Sequence, residues 1–373
     1  MISTAATPAA EQGTSRAAPP PPQPAKVVNT GYKVIEIAKG LDHPWSMAFL
    51  PDASILVTER AGRLRLIKGG ILQAQPVGGV PAVHTGSQGG LFDIVLHPNF
   101  ARNNIVYLTY AAGTAAANGT RVARARFDGS SLQDLQVIFK AMPLKDTDNH
   151  YGGRMAFLPD GTFALTIGEG FEYREKAQDL TSDLGKIVRL NEDGSVPQDN
   201  PFIGQAGVRP EIYTWGHRNE QGLVFDAPSG RLYETEHGPR GGDELNIIVA
   251  RKNYGWPVIT FGMDYSGAYV SPYTQRPGLE QPVIYWTPSI APSGLAMYRG
   301  EKFPAWKGDL FVGALAFKHL RRVHLEGGNV VSQEELLNDL HWRIRDVRAA
   351  PDGCLYVSTD EADGRVLRLE PAD

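Results

Sequence analysis

Hydrophobic and polar residues alternate with a period of two over most of the chain, and each alternating run is announced by a turn. The phrase is a Pro-Asp or Pro-Asn turn followed by an apolar strand, as in LPDASILVTE (residues 50–59) and LHPNFARNNIVYLTY (96–110). It returns as FLPDGTFALTIGE (157–169), FDAPSGRLYETEHG (225–238), a weaker GDLFVGAL (308–315) and APDGCLYVSTDE (350–361). Period-two runs with turn chemistry at each start predict antiparallel sheet. Further strands, GRLRLI (62–67) and GRVLRLE (364–370), follow the first and last copies at similar offsets. Six copies at this spacing predict an all-β, six-bladed β-propeller of four-stranded blades, with a pair of β-sandwiches as the alternative. Helices are expected to be few, the best candidate being QEELLND from Gln333.

The first 26 residues break this pattern. They are rich in Ala, Pro, Ser and Thr, lack aromatic residues and end in a polyproline run, so residues 1–26 are expected to be a disordered or extended arm and 27–373 a single propeller domain. The arm has neither the basic start nor the apolar middle of a secretory signal. With 373 residues, 42% of them hydrophobic, the chain can bury a large core. A net charge of -4 without a dense Lys/Arg tract argues against a nucleic-acid partner, and no apolar run is long enough to span a bilayer. The single Cys354 excludes an intrachain disulfide and a cysteine-based zinc site.

Three clusters carry candidate chemistry, and a propeller would bring them together at one mouth of its channel. The first is residues 213–256, with His217-Arg218-Asn219, a Gly238-Pro239 pair and the acidic Asp243-Glu244. It reads as half of a site for an anion and a hard metal ion; Asp243 and Glu244 are either ligands or a solvated turn. In the second, His150 precedes a Gly-Gly turn and a strand, and Glu169 follows that strand. A carboxylate bound to one imidazole nitrogen leaves the other as a proton acceptor, whereas the bland reading makes His150 a turn residue. The third is basic: Lys318, then Arg343 and Arg345, with Arg348 as a third candidate for their side of an extended segment. Guanidinium groups suit carboxylates and phosphates; otherwise these residues are a solvated face.

The motifs GLDHPWSMAFLPD, TGSQGGLFDIVLHPNF, NHYGGRMAFLPDG, GHRNEQGLVFD, EHGPRGGDELN, NYGWP and RIRDVRAAPDG, in this order, resemble the soluble quinoprotein aldose sugar dehydrogenases. The resemblance runs from about residue 40 to 370 and implies a six-bladed propeller binding pyrroloquinoline quinone (PQQ) and Ca²⁺. It implies that His150 is the catalytic base and that Arg218 and Asn219 contact the quinone oxygens. Gly238 and Pro239 would ligate calcium through their carbonyls, and Lys318, Arg343 and Arg345 would hold the cofactor's carboxylates. Gln88 would lie near the sugar, and Ser289 would replace a cofactor-contacting threonine. Glu169 stands where the family usually has aspartate. The implied reaction removes the anomeric hydroxyl proton and passes hydride from C1 of an aldose to PQQ, giving the lactone. The electron acceptor is unidentified, the chain is a monomer or homodimer, and a periplasmic or otherwise exported location is implied. Two other readings belong to the same architecture. A calcium-dependent lactonase or other hydrolase would gather carboxylate and Asn side chains around its metal. A non-enzymatic binding propeller would lack the basic and His150 positions.

Overall fold

The computed structural model describes residues 17–372 and arranges six antiparallel sheets in a closed ring. Blade 1 comprises Pro44–Phe49, Ile55–Glu59, Arg63–Lys68 and Ile71–Leu72; blade 2 comprises Leu91–Leu96, Ile105–Thr114, Ala117–Phe127 and Leu132–Lys140. Blade 3 is built from Met155–Phe157, Phe163–Ile167, Lys186–Leu190 and Ile212–Trp215, and blade 4 from Glu220–Asp226, Arg231–Glu236, Asp243–Ile248 and Ile284–Trp286. Pro292–Met297, Leu310–Ala314, His319–Glu326 and Asn329–Leu336 form blade 5. Blade 6 takes Ile344–Ala349, Leu355–Thr359 and Gly364–Pro371 from the C-terminal end and Tyr32–Leu41 from the N-terminal end. That last pairing, with Val34 opposite Leu369, closes the ring with backbone hydrogen bonds and leaves no gap between first and last blades.

Every copy of the repeated phrase supplies the second strand of a blade. These strands are buried on both faces, as Phe163–Ile167 and Leu355–Thr359 are along their full length, because a neighbouring blade covers each side. Six apolar clusters result, one at each interface between blades, from Leu56–Leu108 between blades 1 and 2 to Met47–Val366 between blades 6 and 1. The sandwich alternative is excluded by this cyclic order of sheets.

One expectation needs correction. The stretch from Gln333 is no helix: it ends the strand Asn329–Leu336, where Gln333 pairs with Val323, and only the three-residue turn Asn338–Leu340 is helical. Ladder pairing has overridden a local preference that is weak in so short a segment. The described end of the arm runs along blade 5: Lys26–Val27 pairs in parallel with Glu334–Glu335, and Gln333 Nε2 donates to Gln23 O at 3.4 Å. Residues 1–16, which carry most of the expected arm, lie outside the described residues. No helix among the described residues is long and apolar enough to cross a membrane.

Candidate active site

His150 sits in the loop entering blade 3 with φ of 50°, a left-handed conformation uncommon outside glycine. Gly152, two residues on, also has positive φ (64°), and a Cβ there would lie 2.7 Å from the Thr166 backbone, so the NHYGG motif is a backbone requirement. Gln88 Oε1 accepts from His150 N at 2.9 Å, fixing the loop from blade 2. On the other side of the ring, His150 Nδ1 lies 3.0 Å from Glu169 Oε1, and the Phe171 ring packs edge-on at 5.1 Å. The extra methylene of glutamate therefore still reaches the imidazole.

Both partners are buried. Burial, reinforced by Arg218 and Lys145, drives the His150 pKa well below the usual histidine range. Burial also raises Glu169 to about 7, against the pull of Arg218. Above that value the pair is a neutral imidazole donating Nδ1–H to a carboxylate, which leaves Nε2 with a free lone pair. Such an arrangement can accept a proton.

Arg218 enters from blade 4, its backbone carbonyl accepting from Glu169 N at 2.9 Å. Its Nη1 donates to Gly238 O at 2.7 Å and to His237 O at 3.1 Å, while its guanidinium lies over the Trp256 ring at 5.2 Å. Gly238 cannot carry a side chain, since a Cβ would sit 2.2 Å from Gly241 O. Asp243 is no solvated turn residue. It is fully buried, accepts from Gly238 N (2.9 Å), Ala291 N (2.9 Å) and Ser289 Oγ (2.7 Å), and clasps the Gly238-Pro239 loop from below. Burial raises its pKa to about 6. Ser289 is thus spent on Asp243 and does not line the central cavity. Glu244 hydrogen-bonds inward to Asn246.

A cavity of about 190 Å³ at the channel mouth draws on the inner loops and strands of all six blades, with Gln88, Asn219, His237, Arg343 and Arg345 among its walls. Asn219 Oδ1 faces Gly152 N (3.3 Å) and Gln221 Nε2 (3.3 Å). Arg343 and Arg345 come together on Asp360 Oδ2, at 3.3 and 2.7 Å. Burial alone would raise Asp360, but Arg345 and Arg343 hold it well below the carboxylate range. Arg348 does not share their side: three residues after Arg345, it falls on the opposite face of the strand and binds Asp93 and Asp346 (2.7 and 2.9 Å). Lys318 lies apart, exposed on the turn leading into His319–Glu326.

Motif reading did not single out two groups. Asp360 neutralises part of the basic cluster. Deeper, His217, Glu234 and Glu236 bring ligand atoms within 4.8 Å of one another, a set able to hold a metal. A sequence signal existed for both: the second strand ends in, or is closely followed by, an acid in four blades, at Glu59, Glu169, Glu236 and Asp360.

The residues fit an anionic quinone and a hard cation. Arg218 Nε and Arg345 Nε are buried without partners, so two guanidinium edges remain for an anion. The Gly238 carbonyl already serves a cationic group, Arg218, as an oxygen ligand for Ca²⁺ must.

The sequence profile of the glucose/sorbosone dehydrogenases matches residues 41–368. The chain is 44% identical to the aldose sugar dehydrogenase YliI of Escherichia coli, over 89% of this chain and 91% of the relative. The apo crystal structure of the E. coli soluble aldose sugar dehydrogenase superposes with a TM-score of 0.89 at 43% identity, covering 91% of this chain and all of the other. The PQQ-bound aldose sugar dehydrogenase of Streptomyces coelicolor matches with a TM-score of 0.74 at 30% identity, over 93% and 99% of the two chains.

Proposed function

Because the chain belongs to the glucose/sorbosone dehydrogenase family, we propose that this sugar dehydrogenase oxidises aldoses at C1 to the lactone with PQQ and Ca²⁺. The observation that carries this reading is the buried His150–Glu169 pair at 3.0 Å, a poised base beside the cationic Arg218. His150 Nε2 takes the anomeric hydroxyl proton. Glu169 holds the ring by its Nδ1–H and stabilises the imidazolium that forms. Arg218 supplies fixed positive charge where negative charge grows, in surroundings from which water is largely excluded. Arg343 and Arg345, with Lys318 from the rim, hold carboxylates, and Gly238 and Pro239 offer carbonyl oxygens to the metal. When bound, PQQ supplies the hydride acceptor and calcium the polarising charge beside it.

A lactonase of this architecture would converge carboxylate and Asn side chains on its metal. The channel mouth instead carries two arginines around a single aspartate. An exported location, implied by the resemblance, fits electron delivery to an external acceptor.

Reconstitution of the purified apoprotein with PQQ and Ca²⁺ tests the proposal. Reduction of an artificial acceptor by several aldoses is expected, with a change in visible absorbance on adding PQQ. Absence of both would refute it.

A further inference from the structure

Lys145 is a fully buried lysine that the mechanism above does not use. Its ammonium group donates to Asn118 Oδ1 at 3.2 Å and to Thr147 O, and lies 3.5 Å from the centre of the Tyr151 ring. No carboxylate among the described residues lies within ion-pairing distance of it. The two nearest in sequence have other partners: Asp146 accepts from Tyr173 Oη at 2.7 Å, and Asp148 Oδ1 lies 2.6 Å from His84 Nε2. The aliphatic stem runs against the Glu169 loop, where a Cβ on Gly170 would meet Lys145 Cδ at 2.7 Å. Thr147 Oγ1 donates to Gly170 O at 2.5 Å across the same seam. Lys145 thus lies where the loop carrying His150 meets the loop carrying Glu169.

An unneutralised cation there acts on the proton of the pair. Taking the proposed role of His150 as its premise, we propose that Lys145 is a positioning residue for sugar oxidation. Its charge keeps Glu169 ionised and the shared proton on His150 Nδ1, so that Nε2 stays free to act as the base. Without that charge Glu169 takes up a proton at higher pH. Its hydroxyl then donates to Nδ1, the remaining ring proton moves to Nε2, and the base is lost. Arg218 and Arg174 act on Glu169 in the same sense, and Arg218 also disfavours a charged His150. Asp146, Asp148 and Glu169 in turn favour the ammonium form of Lys145, whose pKa burial lowers to about 7. His237, itself held neutral by burial, also faces the pair, and the buried Glu220 and Glu169 disfavour each other's ionisation.

Lys145→Met and Lys145→Gln test this, the glutamine keeping a donor for Thr147 O. In each, the acid limb of kcat against pH should move upward by on the order of one pH unit, with the plateau at high pH largely kept. The apoprotein gives a second readout that needs neither cofactor nor activity, and so separates this idea from the proposed function. In ¹⁵N-histidine spectra taken at a pH between the wild-type Glu169 value of about 7 and the raised value of the variants, the wild-type His150 ring should be protonated at Nδ1 and the variants' rings at Nε2. A uniform loss of kcat with an unmoved limb and unchanged tautomer would reduce Lys145 to scaffold and overturn the inference. Should neither variant fold, a wild-type His150 ring still protonated at Nε2 on the alkaline side of the Glu169 value overturns it equally.

Discussion

His150 concentrates the residue-scale argument, because backbone, burial and one carboxylate all act on a single ring. Its left-handed φ is retained against an intrinsic cost of order 1–3 kcal/mol by Gln88 on one side and the Gly-Gly turn on the other. Replacing His150 by Ala should lower kcat by about 10²–10⁴-fold and leave the PQQ titration nearly unchanged; equal losses in both would make it a structural residue. The Glu169 value of about 7 sets a pH dependence whose sign is definite. Below that pH the carboxyl is protonated, so kcat/KM should fall roughly tenfold per pH unit on the acid side. Glu169→Gln should flatten that limb at a lower rate, and a limb that persists assigns it to another group. Arg343→Ala and Arg345→Ala should raise the PQQ concentration needed for half-activation more than they lower the saturated rate. Unchanged titrations in both would remove them from cofactor binding.

At the scale of elements, the second strand of each blade fills both interfaces of its blade with apolar residues, and in four blades an acid ends it or closely follows it, as at Glu169 and Asp360. Leu355 is fully buried between blades 5 and 6, so Leu355→Ala should cost about 2–5 kcal/mol, read from the denaturant midpoint of the apoprotein. A shift near zero would mean the interface is not a packed core. The turn phrase made these strands legible in the sequence because turn chemistry and period-two alternation are local. The strand at Gln333 was misread because its only strong determinant is the neighbouring strand. Asp243 was misjudged for the same kind of reason: its three hydrogen-bond partners lie up to 48 residues away.

Across the whole molecule, ring closure places charges that no strand would tolerate alone. Glu220, Glu234 and Glu244 crowd the inner strands of blade 4, and burial, with repulsion from Glu236, raises all three well above the usual glutamate range. A raised folded-state pKa gives stability that is fully present below the unfolded value, about 4.3, and is lost as pH rises through the elevated one. Metal-free apoprotein should therefore melt at lower temperature as pH rises from 5 to 8, and Glu234→Gln should recover part of the loss. A midpoint independent of pH over that range would contradict this. The sequence by itself determined the blade count, the strand phrase and the family, and it put forward His150, Arg218, Gly238 and the arginine pair as candidates, since each motif is written in contiguous residues. Only the tertiary structure decided that Glu169 reaches His150, that Asp360 binds both arginines, that Ser289 turns to Asp243 and that Lys145 lies where the loops of His150 and Glu169 meet. Those contacts join residues brought together by loops and neighbouring blades, and their energies come from burial, which no local pattern encodes.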